Sequence, residues 1–146
     1  MRMDKLTHSL RAALGEAQSL AIGLDHPFIE PLHLLKAMLD PAGSATRALL
    51  LAAGGAVEPL LTAVDSALGA MATVSGSEDV HVSQETQRLL NRADKLSQQA
   101  GDTYLSTDAV LLAMLEAKST ASLLSDAGVT SEALRKAIES SRGGEA

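Results

Sequence analysis

Phe28-Ile29-Glu30-Pro31-Leu32-His33-Leu34-Leu35-Lys36-Ala37-Met38-Leu39 returns 76 positions later as Tyr104-Leu105-Ser106-Thr107-Asp108-Ala109-Val110-Leu111-Leu112-Ala113-Met114-Leu115. Leu35, Ala37, Met38 and Leu39 meet identical residues at Leu111, Ala113, Met114 and Leu115. Followed backwards at the same offset, Thr7, Leu14, Ala17 and Leu20 fall on Ser83, Leu90, Ala93 and Leu96. Followed forwards after a two-residue deletion, Leu49-Leu50 and Ala53-Gly54 fall on Leu123-Leu124 and Ala127-Gly128. Self-similarity at one fixed period means that the chain is one supersecondary unit used twice, each copy burying its apolar face against the other.

Inside each copy the punctuation is helical. Leu6, Leu10, Ala13, Leu14, Ala17, Leu20, Ala21 and Leu24 recur at spacings of three and four, which puts them on one stripe of a helix from about Asp4 to Gly23. Pro31 stands at the first position of a second helix, where its missing N–H costs nothing, and Asp40-Pro41 ends that helix. Ser44 is placed to cap a third, which stops at Gly54-Gly55, and Glu58-Pro59 opens a fourth that fades at Leu68-Gly69. Ser83 starts the second copy's first helix, which runs to Gly101. Residues 70–82 carry Ser, Gly, Glu and Asp with little helical period and read as a linker. The expectation is an all-α domain of about eight helices, in two tandem four-helix repeats related by a pseudo-twofold axis (about 4–69 and 83–142). Phe28 and Tyr104, the chain's only aromatics apart from histidine, read as equivalent core anchors.

Composition supports helices and excludes several function classes. The 146 residues are 46% hydrophobic, mostly Leu and Ala, with no Trp, an alphabet poor in strand-forming aromatics. No apolar run approaches the ~20 residues of a membrane span. Absence of Cys removes disulfides, thiolate metal sites and Cys nucleophiles, in keeping with a cytoplasmic setting. The net charge of −6, with Lys and Arg scattered singly, argues against a nucleic-acid partner. No Gly-Lys dipeptide occurs, so there is no phosphate loop, and His8, His26, His33 and His81 show no metal-ligand spacing. His33 reads as a packed histidine and the other three as surface residues. The expectation is a non-catalytic domain without cofactor or metal.

Met1-Arg2-Met3-Asp4-Lys5-Leu6-Thr7, Glu16-Ala17-Gln18-Ser19-Leu20-Ala21 and Phe28-Ile29-Glu30-Pro31-Leu32-His33-Leu34-Leu35 resemble the Clp N-terminal repeat domains, and in particular those of ClpB-type disaggregases. Asp94-Lys95-Leu96, Gly101-Asp102 before Tyr104, and Arg142-Gly143-Gly144 extend the likeness over essentially the whole chain. The resemblance implies an eight-helix domain joined flexibly to a hexameric ATPase ring, binding exposed apolar stretches of unfolded or aggregated polypeptide and passing them to the pore. It implies substrate handling by the polar positions Thr7, Asp102 and Asp108. It also implies an apolar groove near Leu90, Leu96 and the start of the helix after Ser106. Arg92 and Ala109 stand where bulkier apolar residues are common in the family, which makes that groove shallower or more polar. Taken as local structure instead, Thr7 is a first-turn residue, Asp102 a turn former, and Asp108 a favourable charge near a helix N-terminus capped by Ser106. ClpC-type relatives carry a Glu in both repeats for phosphoarginine. Leu32 replaces the first here and only Asp108 remains of the second, so a phosphoarginine reader is not expected. The competing expectations are an adaptor-docking domain of a ClpA- or ClpC-type unfoldase and a free-standing helical adaptor. The isolated domain is expected to be a monomer without membrane or nucleic-acid partners.

Overall fold

A computed structural model describes residues 3–41, 44–76 and 79–143. Met1, Arg2 and Gly144 of the family-like segments, and residues 77 and 78 of the predicted linker, lie outside them. Among the described residues the helices are α1 (His8–Gly23), α2 (Pro31–Leu39), α3 (Ala45–Ala52), α4 (Val57–Gly69), α5 (Gln84–Gln99), α6 (Thr107–Met114), α7 (Ala121–Asp126) and α8 (Ser131–Gly143). Two short strands, β1 (Phe28–Ile29) and β2 (His81–Val82), pair in parallel. The expected all-α architecture of eight helices, four in each copy, is therefore what the chain adopts.

The first helix begins four residues later than its apolar stripe suggested. Thr7 is extended, and its Oγ1 accepts the Leu10 N–H at 3.2 Å, so it caps α1. Met3–Lys5 forms a separate 3₁₀ turn. Ser83 does the same for α5, accepting from Thr86 N at 3.1 Å, and Ser44 for α3, accepting from Arg47 N at 3.1 Å. Each cap satisfies an amide that no helical carbonyl can reach.

Those two capped starts are stitched crosswise. Leu6 bridges to Leu105 in parallel and Thr7 N donates to Leu105 O at 2.9 Å. At the positions related by the repeat offset, Val82 pairs with Ile29 and Ser83 N donates to Ile29 O at 3.1 Å. The segment before each copy's first helix thus pairs with the segment before the other copy's second helix. Further along the chain α3 packs on α8 and α7 on α4, again a reciprocal exchange. The end of the predicted linker is consequently pinned: β2 lies in it, Val80 is buried, and Val74 N donates to Asp25 O at 2.8 Å.

This crosswise pairing corrects the reading of the aromatics. Phe28 is 46% exposed and Tyr104 54% exposed, so neither anchors the core. Phe28 lies in β1, where successive side chains point to opposite faces, and Tyr104 lies in the bend just before the bridge at Leu105. Ile29 and Leu105, one residue on, point inward at 6% and 2% exposure, and they are the equivalent anchors. The core itself follows the helical stripes, with Leu10, Leu34, Leu50, Leu111, Leu124 and Leu134 essentially inaccessible. Each such leucine contributes about 1.5–3 kcal/mol through removal of its surface from water.

Candidate functional site

Crosswise pairing brings α1 beside α5, and an open apolar groove of about 450 Å³ runs between them and the β pair. Its walls come from positions related by the repeat: Leu14 with Leu90, and Leu6 with Val82, while Ile29 and Val80 complete the apolar lining. Arg11, Gln18, His81 and Gln87 edge it. Leu14 is half-buried and Val82 is 39% exposed, so the groove offers aliphatic surface to solvent on a well-packed frame.

The polar positions expected to handle substrate converge elsewhere, on the corner between α5 and α6. Asp102 lies in the turn after α5 and Asp108 in the first turn of α6. Arg142, in the last turn of α8, donates from one guanidinium nitrogen to both Asp102 carboxylate oxygens at 3.1 and 3.2 Å and from another to Asp108 Oδ2 at 3.4 Å. Thr7 is tied to the same corner through its amide bond to Leu105 O. A cavity of about 360 Å³ opens there between Lys5, Asp94, Ser97, Asp102 and Leu105. The segment Lys5–Thr7 therefore separates two openings, the groove touching Leu6 on one side and this polar cavity touching Lys5 on the other. Ser106 occupies the N-cap position of α6, yet its hydroxyl makes no cap bond and is buried without a partner. The expected Ser106 cap is thereby corrected.

The three carboxylate–guanidinium contacts are solvent-accessible, with Arg142 41%, Asp102 25% and Asp108 21% exposed at the side chain. Pairs of this kind contribute at most about 1 kcal/mol. Arg142→Gln is expected to lower unfolding free energy by less than about 1 kcal/mol in urea titrations. A larger loss would mean that α8 depends on this corner to stay docked.

Leu90, Leu96 and Ala109 are core residues at 6%, 7% and 5% exposure, because α5 and α6 pack directly on one another. The groove was expected near these residues, and of the three only Leu90 lines an opening, the groove facing α1. Arg92 belongs to a different depression, on the far face of α5, where its Nε lies 3.3 Å from Glu116. Leu14 went unnoticed as a groove residue, although its repeat partner Leu90 pointed to it, and no groove reading had touched Val82 or its partner Leu6.

A second feature that sequence reading missed lies beneath α2. His26, expected at the surface, is 2% exposed, and its Nδ1 meets Nε2 of the fully buried His33 at 2.7 Å. Glu30 N donates to His33 Nδ1 at 2.8 Å, so His33 carries its proton on Nε2 and donates it to His26. Burial, followed by the second imidazole, lowers the His33 pKa to about 4.

The Clp repeat (R) N-terminal domain model matches residues 5–127. Chaperone protein ClpB of Pseudomonas putida is 43% identical over 148 aligned positions covering 100% of this chain, and that of Vibrio cholerae 40% identical over 99% of it. The chain spans only 17% of the length of either relative. Among solved structures, the Hsp104 N-terminal domain from Candida albicans superposes with a TM-score of 0.84 at 23% identity, covering 95% of this chain and 92% of that one. The ClpV N-domain in complex with a VipB peptide superposes at 0.74 with 27% identity, covering 93% of this chain and 86% of that one. A duplicated four-helix unit, stitched crosswise and matched by the family over most of its length, means that this chain belongs to the Clp repeat N-terminal domain family.

Proposed function

We propose that this domain is a non-catalytic polypeptide-capture unit of a ClpB-type disaggregase, taking exposed apolar segments of unfolded or aggregated proteins into the groove between α1 and α5 for transfer to an ATPase ring. The carrying observation is the groove itself, aliphatic from both repeats and open to solvent. Support comes also from the similar ClpV domain, which is described with a bound peptide. Thr7, Asp102 and Asp108 act at the neighbouring corner, orienting the chain that leaves the groove when Arg142 gives way.

The physics of such a site favours weak capture. Covering about 200 Å² of aliphatic surface gains about 5 kcal/mol at ~25 cal/mol per Å². The loss of translational and rotational freedom on association offsets at least about 4 kcal/mol of that gain. Weak single-site binding lets a segment move on, while several domains on one ring recover avidity. An aliphatic contact is also tolerant of sequence and nearly indifferent to salt.

The test is titration of a permanently unfolded protein into the isotopically labelled 146-residue chain. Amide shifts should centre on Leu14, Val82 and Leu90, and affinity should survive added salt. Val82→Asp, an exposed change, should weaken capture about fivefold, the equivalent of ~1 kcal/mol of lost apolar contact. Alanine at both Asp102 and Asp108 should weaken it less and leave the fold intact. Shifts confined to the opposite face, or binding that vanishes in moderate salt, would reject the groove and favour docking of one defined adaptor.

A further inference from the structure

α5 presents two faces. Leu90 faces the groove against α1, while the adjacent Leu89 forms the floor of a separate depression of about 270 Å³ between α5 and the turn after α6. Ala113 and Ala117 complete that floor, and the cations Arg88, Arg92 and Lys118 surround it. Two carboxylates also face it, and both are committed: Glu85 Oε2 accepts from Ser119 N and Oγ at 2.9 and 2.8 Å, and Glu116 pairs with Arg92. Arg88 and Lys118 have no carboxylate partner among the described residues, although the chain as a whole carries a charge of −6.

Folding alone does not require this arrangement, because the other repeat builds the equivalent depression with the opposite polarity. There Glu16 stands where Arg92 stands here, Ala12 where Arg88 does, and Ser9 where Glu85 does. No cation lines it among the described residues, and Lys36 in the neighbouring depression is held by Asp40 and Asp65 at 3.4 and 2.9 Å. The same packing therefore tolerates either sign, and of the two depressions only the second repeat's is lined by cations without a carboxylate partner among the described residues.

We propose that the depression between α5 and the α6–α7 turn docks an acidic polypeptide segment carrying a small aliphatic side chain, as a site separate from the groove between α1 and α5. Arg88 and Arg92 are four residues apart on one helical face, which sets them roughly one turn, about 6 Å, from each other. That spacing matches alternate carboxylates on an extended segment, in which same-side residues lie about 6.5–7 Å apart. Leu89, Ala113 and Ala117 are shallow and aliphatic, suited to an Ala, Val or Leu side chain between those carboxylates. Three cations are too few, in a chain of this acidity, to neutralise the run of phosphates that a nucleic acid presents. Arg92 thereby becomes one arm of an electrostatic clamp.

The experiment compares two fluorescent hexapeptides, Glu-Glu-Leu-Ala-Glu-Glu and Lys-Lys-Leu-Ala-Lys-Lys, by anisotropy and by amide shifts of the labelled chain. The acidic peptide should bind saturably, moving Leu89, Ala113 and Ala117. Its affinity should fall at least threefold as the Debye length shrinks from ~10 Å at 0.1 M salt to ~3 Å at 1 M. Arg88→Glu combined with Lys118→Glu, both exposed and with circular dichroism verifying the fold, should abolish that binding while capture of the unfolded protein persists. Val82→Asp should do the reverse, so the two sites fail independently. Equal binding of the lysine peptide, binding of a single-stranded oligonucleotide in place of the acidic peptide, or the absence of saturation would each overturn the proposal.

Discussion

Acidification from pH 7 to pH 4 is expected to remove about 3 kcal/mol of folding free energy through His33 alone. In the folded chain burial and the adjacent His26 ring hold its pKa at about 4, against 6.5 for an unperturbed imidazole. The folded state therefore keeps His33 neutral over a range in which the unfolded chain binds a proton. A lowered pKa contributes stability that is complete above pH 6.5 and is lost progressively as pH falls towards 4. Geometry explains why the proton is refused. Nδ1 of His33 already accepts from Glu30 N, and its Nε2–H is directed at His26 Nδ1, so a further proton on His33 must go to Nδ1, where it sets two donors against each other. Urea unfolding at pH 7 and pH 5 isolates the effect above the main carboxylate range, and about 2 kcal/mol should disappear across that interval. Replacing both rings, His26→Phe with His33→Phe, removes the pair as a unit and should flatten the dependence. A wild-type free energy that stays constant from pH 7 to pH 5 would sink this account.

The same pair shows where sequence reading loses its hold. His33 carries a sequence signal, an imidazole inside an apolar helix two residues after Pro31, and it is buried as expected. His26 carries none: it sits in a polar turn beside Asp25, and only the fold of that turn swings it beneath α2. Phe28 and Tyr104 failed for a different reason. A two-residue strand at Phe28 and a single bridge after Tyr104 are too short to show alternation, so the aromatics were assigned to the core when their neighbours Ile29 and Leu105 belonged there.

The candidate site was legible in proportion to how local it is. Helix stops, the Pro31 start and the duplication need only neighbouring residues, and they came through. The groove needs two helices 76 positions apart to lie side by side, a relation fixed by crosswise backbone pairs that leave no side-chain pattern. Leu90 and Leu96, read from α5 alone, therefore located a groove near that helix without naming its other wall. Asp102 and Asp108 lie at one corner, and Arg142, the cation between them, comes from the distant α8.

Gly55→Ala is expected to destabilise the domain by about 1–3 kcal/mol, more than a turn glycine usually would. Gly55 lies where the turn between α3 and α4 meets the turn between α7 and α8, beside the Ala56 N–H that bonds Ala127 O at 2.9 Å across the repeats. A Cβ added there would stand 2.8 Å from Val129 Cγ2 and 3.0 Å from the Leu50 carbonyl oxygen. Neither neighbour yields easily: Val129 is 3% exposed, and the Leu50 oxygen is held by the Gly55 amide itself at 2.8 Å. Restricting the unfolded chain favours alanine by about 0.4–1 kcal/mol, too little to offset an overpacked contact between two fixed turns. Val129→Ala supplies the check, because it removes the methyl that alanine at position 55 strikes. The two changes together should cost at least about 1 kcal/mol less than the sum of each alone. Gly54 gives the contrast. Its φ of +84° makes alanine strained, but no atom lies within 4 Å of the added Cβ, so Gly54→Ala should be additive with Val129→Ala. Unfolding free energies from urea titrations of the four variants decide the matter. If Gly55→Ala is as stable as the parent, or shows no coupling to Val129, the two turns are not in the tight contact that joins the repeats.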